Sequence, residues 1–156
     1  MCVLFDRDTH TSRTVPGRKI ASDTLFARDF ADFSGAGKTP AQIVAHIGDL
    51  FEWALRMAKG DRSWSDSPPL AWEQQKQRFF STLAAFEAYL ASDMPIEAPL
   101  EKLFHGPIAD ALTHVGQLAM MRRLAGCPMK GENYFLAQIE MGRVGTEQAK
   151  AAREFD

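Results

Sequence analysis

Two cysteines in 156 residues, Cys2 and Cys127, are too few for a disulfide framework, so the fold must rest on packing. Long apolar runs are missing too: no window approaches the ~18–20 residues of a membrane-spanning helix. The opening Met1-Cys2-Val3-Leu4-Phe5-Asp6-Arg7-Asp8 puts acids where a secretory leader needs an apolar stretch. The expected location is therefore the cytoplasm. Basic charge is not in excess, with 18 Lys and Arg against 20 Asp and Glu and a net charge of −2. The basic residues are scattered, and Arg122-Arg123 is one of the adjacent pairs. A nucleic-acid-binding domain usually concentrates a basic face, so no nucleic-acid partner is expected. There is no phosphate-binding glycine loop, no Ser/His/Asp pattern and no Cys-x-x-Cys pair. No internal repeat occurs, and no strand-like alternation runs longer than four residues.

What remains is a chain with 46% hydrophobic and 24% charged residues, the balance of one globular domain with a real core. Residues 1–17 lack a clear period and end in Val15-Pro16-Gly17, a turn signal, so they read as an arm. Residues 18–33 predict a first helix, with Ile20, Phe26, Phe30 and Phe33 roughly on one side. The second helix is the best marked. Thr39 is a good N-cap, Pro40 suits the first helical position, and Gln42 completes a capping box. Its stripe is Ile43, Ile47, Leu50, Phe51, Ala54 and Ala58, and Gly60 is its stop. A mostly polar connection, with Ser63-Trp64-Ser65-Asp66-Ser67, ends in Pro68-Pro69.

A third helix is expected over about 71–91, with Phe79, Phe80, Leu83, Phe86, Tyr89 and Leu90 on its apolar side. A connection over 92–106 precedes a fourth helix from near Pro107 to Gly126. The core side of that helix would be Ala111, Leu112, Val115, Leu118, Met121 and part of Leu124. Residues 127–156 form a C-terminal extension, mostly a polar tail. The pattern predicts an all-α, antiparallel-type four-helix bundle over 18–126 within a single domain 1–156.

Candidate chemistry lies on two of these helices. Asp110 and His114 are four residues apart, so their side chains leave one face of a helix within about 40° of each other. A carboxylate and an imidazole at that spacing can hold one divalent metal. His46 borders the apolar stripe of the second helix, about 60° from Ile43 and about 40° from Leu50. Facing the pair, it would complete a two-histidine, one-carboxylate site. Two plainer readings stay open. His46 alone can be an interfacial ring with one wet nitrogen. Asp110 can be an acid favoured at a helix N-terminus and ion-paired with His114 on an exposed face. Trp53 and Met57 near His46, and Gln117 and Met121 near His114, would line the pocket around an ion. Asp49 is a neighbour of His46 but lies farther from the stripe. His105 reads as a loop residue, an alternate ligand or a gate. Gly116 inside the fourth helix suggests close packing or room beside His114.

The segment from His114 to Gly126, His-Val-Gly-Gln-Leu-Ala-Met-Met-Arg-Arg-Leu-Ala-Gly, resembles the last-helix signature of the DinB/YfiT-like metalloenzyme family. That signature is a histidine pair spaced by three residues, then Arg-Gly-Gln-Leu, then an apolar turn ending in glycine. Residues 42–53, with His46, are similar to the family helix that supplies the first histidine ligand. Two positions depart from the pattern: Asp110 stands for the first histidine of the pair, and Val115 for the arginine. The resemblance covers about 18–126 and implies a four-helix bundle with a bound divalent ion, nickel or zinc first. Family chemistry implies a metal-dependent thiol transferase or hydrolase acting on a small molecule or thiol. The alternative is a non-catalytic ligand-binding or stress-associated module, and a homodimer is expected in either case.

Overall fold

A computed structural model describes residues 30–33 and 37–155. The arm at 1–17, Cys2 and most of the helix expected at 18–33 lie outside the described residues. Of that helix, Phe30 and Ala31 are described and helical, Ala31 is buried, and Phe30 sets its ring against Trp72 at 6.4 Å.

Helix α1, Pro40–Ala58, begins as its sequence dictates. The Thr39 N–H donates to Gln42 Oε1 at 2.8 Å, and the Gln42 N–H donates to Thr39 Oγ1 at 3.4 Å. These two bonds satisfy backbone donors that would otherwise have no partner. The stop comes at Gly60, whose φ of +88° is open to glycine and strained for other residues. Ile43, Ile47, Leu50, Phe51, Ala54 and Ala58 are each no more than 3% exposed. Each of the larger ones contributes about 1.5–3 kcal/mol of transfer free energy. This stripe is the centre of the core.

Helix α2, Trp72–Leu90, turns Phe79 and Phe86 onto Phe51 at ring distances of 6.1 and 6.4 Å. Leu90, expected in the core, is 39% exposed because it ends the helix. Contacts advance together along the two helices. Asp49 and Glu52 meet Arg78, and Lys59 lies over the Tyr89 ring. The two helices therefore run parallel, which corrects the antiparallel expectation for this pair. The reason lies in residues 59–71. A 19-residue helix is about 28 Å long, and thirteen extended residues can span about 40 Å. The connection thus doubles back along α1. Trp53 donates its indole N–H to Arg62 O, Trp64 reaches His46, and the Ser67 N–H donates to Asp49.

The last helical run starts earlier than expected. A single turn, α3, spans Leu100–Leu103, a π-helical turn spans Phe104–Ile108, and α4 spans Ala109–Leu124. Pro107 lacks an N–H, and its ring would crowd the carbonyl four residues back. The wider π turn takes that proline without ending the helix. His105 is therefore on this turn, exposed and against Phe104, rather than on a loop. Gly106 meets Trp53 while Asp110 and His114 meet His46, so α4 runs antiparallel to α1. Ala111 and Leu118 are buried, and Val115 and Met121 pack against the core. Leu112 and Leu124 are 56% and 65% exposed, against expectation, because α4 puts apolar residues on two sides. At Gly116 an added Cβ would meet nothing within 4 Å, so of its two readings close packing is excluded and open room remains.

Beyond α4, strands β1 (Gly131–Glu132) and β2 (Glu154–Phe155) pair antiparallel, Gly131 opposite Phe155. The described residues are thus mostly helical, with one short ladder. None of their helices is long and apolar enough to cross a membrane.

Candidate metal centre

The antiparallel crossing of α1 and α4 brings His46, Asp110 and His114 together. Each offers one ligand atom, and these atoms lie within 4.8 Å of one another. His46 Nε2 is 3.8 Å from Asp110 Oδ2, and His114 Nε2 is 3.5 Å from Asp110 Oδ1. The two imidazoles meet edge to face with centroids 4.8 Å apart. Ligand bonds of about 2.1 Å in a tetrahedron put donor atoms about 3.4 Å apart. The two carboxylate contacts, made to different oxygens of Asp110, are within tenths of an ångström of that value, and the spread of up to 4.8 Å must close by up to about 1.4 Å through side-chain rotation. The donor set, two nitrogens and one carboxylate, suits zinc or nickel.

Helix-end electrostatics do not explain Asp110. The backbone before α4 is already helical, with Ile108 at φ −74° and ψ −50°. Asp110 therefore does not sit at a free helix N-terminus, where the macrodipole acts. Its side chain is 48% exposed, whereas those of His46 and His114 are 23% and 14% exposed. The carboxylate thus closes the solvent side of a pair of half-buried rings.

Gln117 fixes the tautomer of His114. Its Oε1 is 2.8 Å from His114 Nδ1, and an amide oxygen only accepts, so Nδ1 carries the proton. In a neutral ring the lone pair then falls on Nε2, the nitrogen facing Asp110. This is the arrangement by which an outer partner orients a ligating histidine. The His46 pKa is lowered, first by burial, then by Lys38 and His114, with Asp110 and Asp49 opposing. A neutral imidazole is the form that binds a metal.

Two cavities flank the three residues. One of about 230 Å³ lies on the His46 side, under the returning connection. The other, of about 470 Å³, is lined by Lys38, Ile43, His114, Gln117, Met120 and Met121. Gln117 and Met121 thus line this second cavity beside His114. Trp53 and Met57 line neither cavity. Trp53 is drawn against Gly106 of the π turn, 3.7 Å from where a Cβ would lie, and Met57 packs on the core. Trp64, which also lines neither cavity, is the indole that meets the site, with its ring 5.6 Å from both His46 and Trp53.

Sequence reasoning missed Trp64, Lys38 and Gln75, the last buried at the cavity wall. One indole inside a polar stretch was the available signal for Trp64. Asp49, farther from the stripe than His46, is nonetheless buried at 5% exposure, under Arg78. Arg78 Nη2 donates to Asp49 Oδ1 and Glu52 Oε2, both at 2.7 Å, and Nη1 donates to Ala45 O at 3.3 Å. Hydrogen bonding from Arg78, then from Arg56, holds the Glu52 carboxyl below its ordinary range. This network pins α2 and the connection to α1, and so positions the wall of the site. No protein-family model, curated protein or solved structure matches this chain.

Proposed function

We propose that this chain is a DinB-like protein that holds one divalent metal, nickel or zinc, on His46, Asp110 and His114. The observation behind the proposal is the Gln117–His114 hydrogen bond, which leaves Nε2 free to ligate beside Asp110. In this reading the helix predicted at 18–33 completes a four-helix bundle with α1, α2 and α4. A bound ion would supply Lewis acidity, lowering the pKa of a water or thiol at an open coordination position. The residues do the rest. Gln117 orients His114, burial keeps His46 neutral, and Trp64 shields the His46 ring from solvent. Lys38 lines both cavities and favours an anionic nucleophile there. Together these support a metal-dependent thiol transferase or hydrolase acting on a small molecule.

The rival is a non-catalytic, dimeric ligand-binding module. It draws on the apolar side chains of the C-terminal extension, where Phe135, Ile139 and Met141 are 94%, 79% and 91% exposed. Zinc- or nickel-loaded protein should be assayed with low-molecular-weight thiols and a model electrophile, and separately with activated esters. Metal-dependent turnover that is lost in His114→Ala supports the enzyme. Tight metal uptake with no turnover on either panel supports the module.

A further inference from the structure

The cavity beside His46 is lined by two residues with buried polar groups that have no hydrogen-bond partner among the described residues. Gln75 is 1% exposed, yet neither its Oε1 nor its Nε2 has a hydrogen-bond partner among the described residues. Ser67 Oγ, from the returning connection, is likewise buried and unpartnered. Both residues line this cavity of about 230 Å³, together with His46 and Asp49. Buried polar groups are normally satisfied, and a carboxamide with both ends unpaired is an unusual thing to place beside a cavity. The Gln75 amide atoms and Ser67 Oγ each expose less than 1 Å², so a ligand meets them once these side chains turn toward the cavity. Nothing in helix packing requires it: an apolar side chain at position 75 would suit the α1–α2 seam.

We propose that this cavity is a recognition pocket for a primary carboxamide, seated on Gln75 and Ser67. The donor and acceptor count points to that class. Gln75 offers one acceptor beside one N–H₂ donor. A ligand carboxamide offers the same pair reversed, so two hydrogen bonds close in one plane. A carboxylate has no donor for Oε1. It would also face Asp49 and Asp66, with Lys38 the one lysine or arginine among the described lining residues. An ammonium has no acceptor for Nε2. Asp49 already has Arg78 as its partner and makes no demand on a ligand. Ser67 Oγ can donate to the second lone pair of the ligand carbonyl. Ala41, Ala45, Pro69 and Leu70 give the pocket apolar walls, so the amide should sit on a small apolar body. Because His46 belongs to both places, the amide would lie next to the metal triad. That placement rests on the metal reading, but the binding itself needs no ion.

The test is titration of the metal-free protein with benzamide, following the Gln75 side-chain N–H₂ signals by NMR. Benzoate and N-methylbenzamide, whose N–H points away from its carbonyl, are the controls. The expected result is saturable shifts with benzamide, binding at least about tenfold weaker for both controls, and a similar loss in Gln75→Met. Gln75→Met should unfold no more easily than wild type, since it removes an unsatisfied amide, and should take up zinc as wild type does. Ser67→Ala provides a second weakened variant outside the helix. Equal binding of benzoate, unchanged binding in Gln75→Met, or no Gln75 response to benzamide would overturn the proposal. So would a less stable Gln75→Met, because the amide would then already be satisfied in the resting protein. Benzamide binding by a protein that takes up no zinc would support the pocket and remove the metal from beside it.

Discussion

Replacing Arg78 with methionine tests the packing that shapes the site. The guanidinium is 17% exposed and serves two carboxylates, Asp49 and Glu52. Glu52 keeps Arg56 at 2.6 Å when Arg78 is gone. Asp49 keeps only the Ser67 N–H, at 3.3 and 3.4 Å to its two oxygens, both long. Stranding a buried charge costs about 3–5 kcal/mol. The Ser67 contact offsets part of that, and loss of the bond to Ala45 O adds about 1 kcal/mol. About 3–4 kcal/mol is expected for Arg78→Met. Asp49→Asn should cost much less, about 1 kcal/mol, because Arg78 retains Glu52 and the asparagine still accepts from Ser67. The double variant should be no worse than Arg78→Met, since no charge is left stranded. Urea unfolding followed by far-UV circular dichroism gives all three values. A cost for Arg78→Met below that of Asp49→Asn, or strictly additive costs, would refute the reasoning.

Gly116→Ala should stabilise the protein by up to about 1 kcal/mol, since no neighbour lies within reach of the new Cβ; urea midpoints check it. His46 gives a pH signature. Folding lowers its pKa, so near and below the ordinary value of about 6.5 the unfolded chain holds more protons. Stability from this group is therefore intact above that pH and falls as the pH drops through it. His46→Gln should flatten the slope between about pH 7 and pH 5, and a steeper slope in the variant would contradict the assignment.

Much of the site could be read from residue spacing because helices are periodic. Thr39, Pro40 and Gln42 specify the start of α1, and that start sets which way His46 faces. The four-residue step from Asp110 to His114 likewise holds within α4. What spacing does not encode is how separate segments meet. The length of 59–71 permits the doubling-back, but its contacts with α1 set the path, so the place of Trp64 on His46 is not visible in the sequence. Pro107 reads as a helix start because a proline interrupts the α pattern. The π turn that accommodates it depends on packing, with Trp53 laid against Gly106. Gln75 reads as one more polar residue on a helix with an apolar side, and only the fold reveals its burial.

The most direct measurement is metal stoichiometry, by elemental analysis, of protein purified without chelator or histidine tag. Wild type, Asp110→Asn and Asp110→His should be compared, each after exposure to nickel or zinc. About one equivalent is expected in wild type and in Asp110→His, which offers a nitrogen where the carboxylate stood. Asp110→Asn should lose most of it, having lost the one anionic donor. Equal uptake by Asp110→Asn would take the carboxylate out of the site. No uptake by any of the three would contradict the metal centre itself.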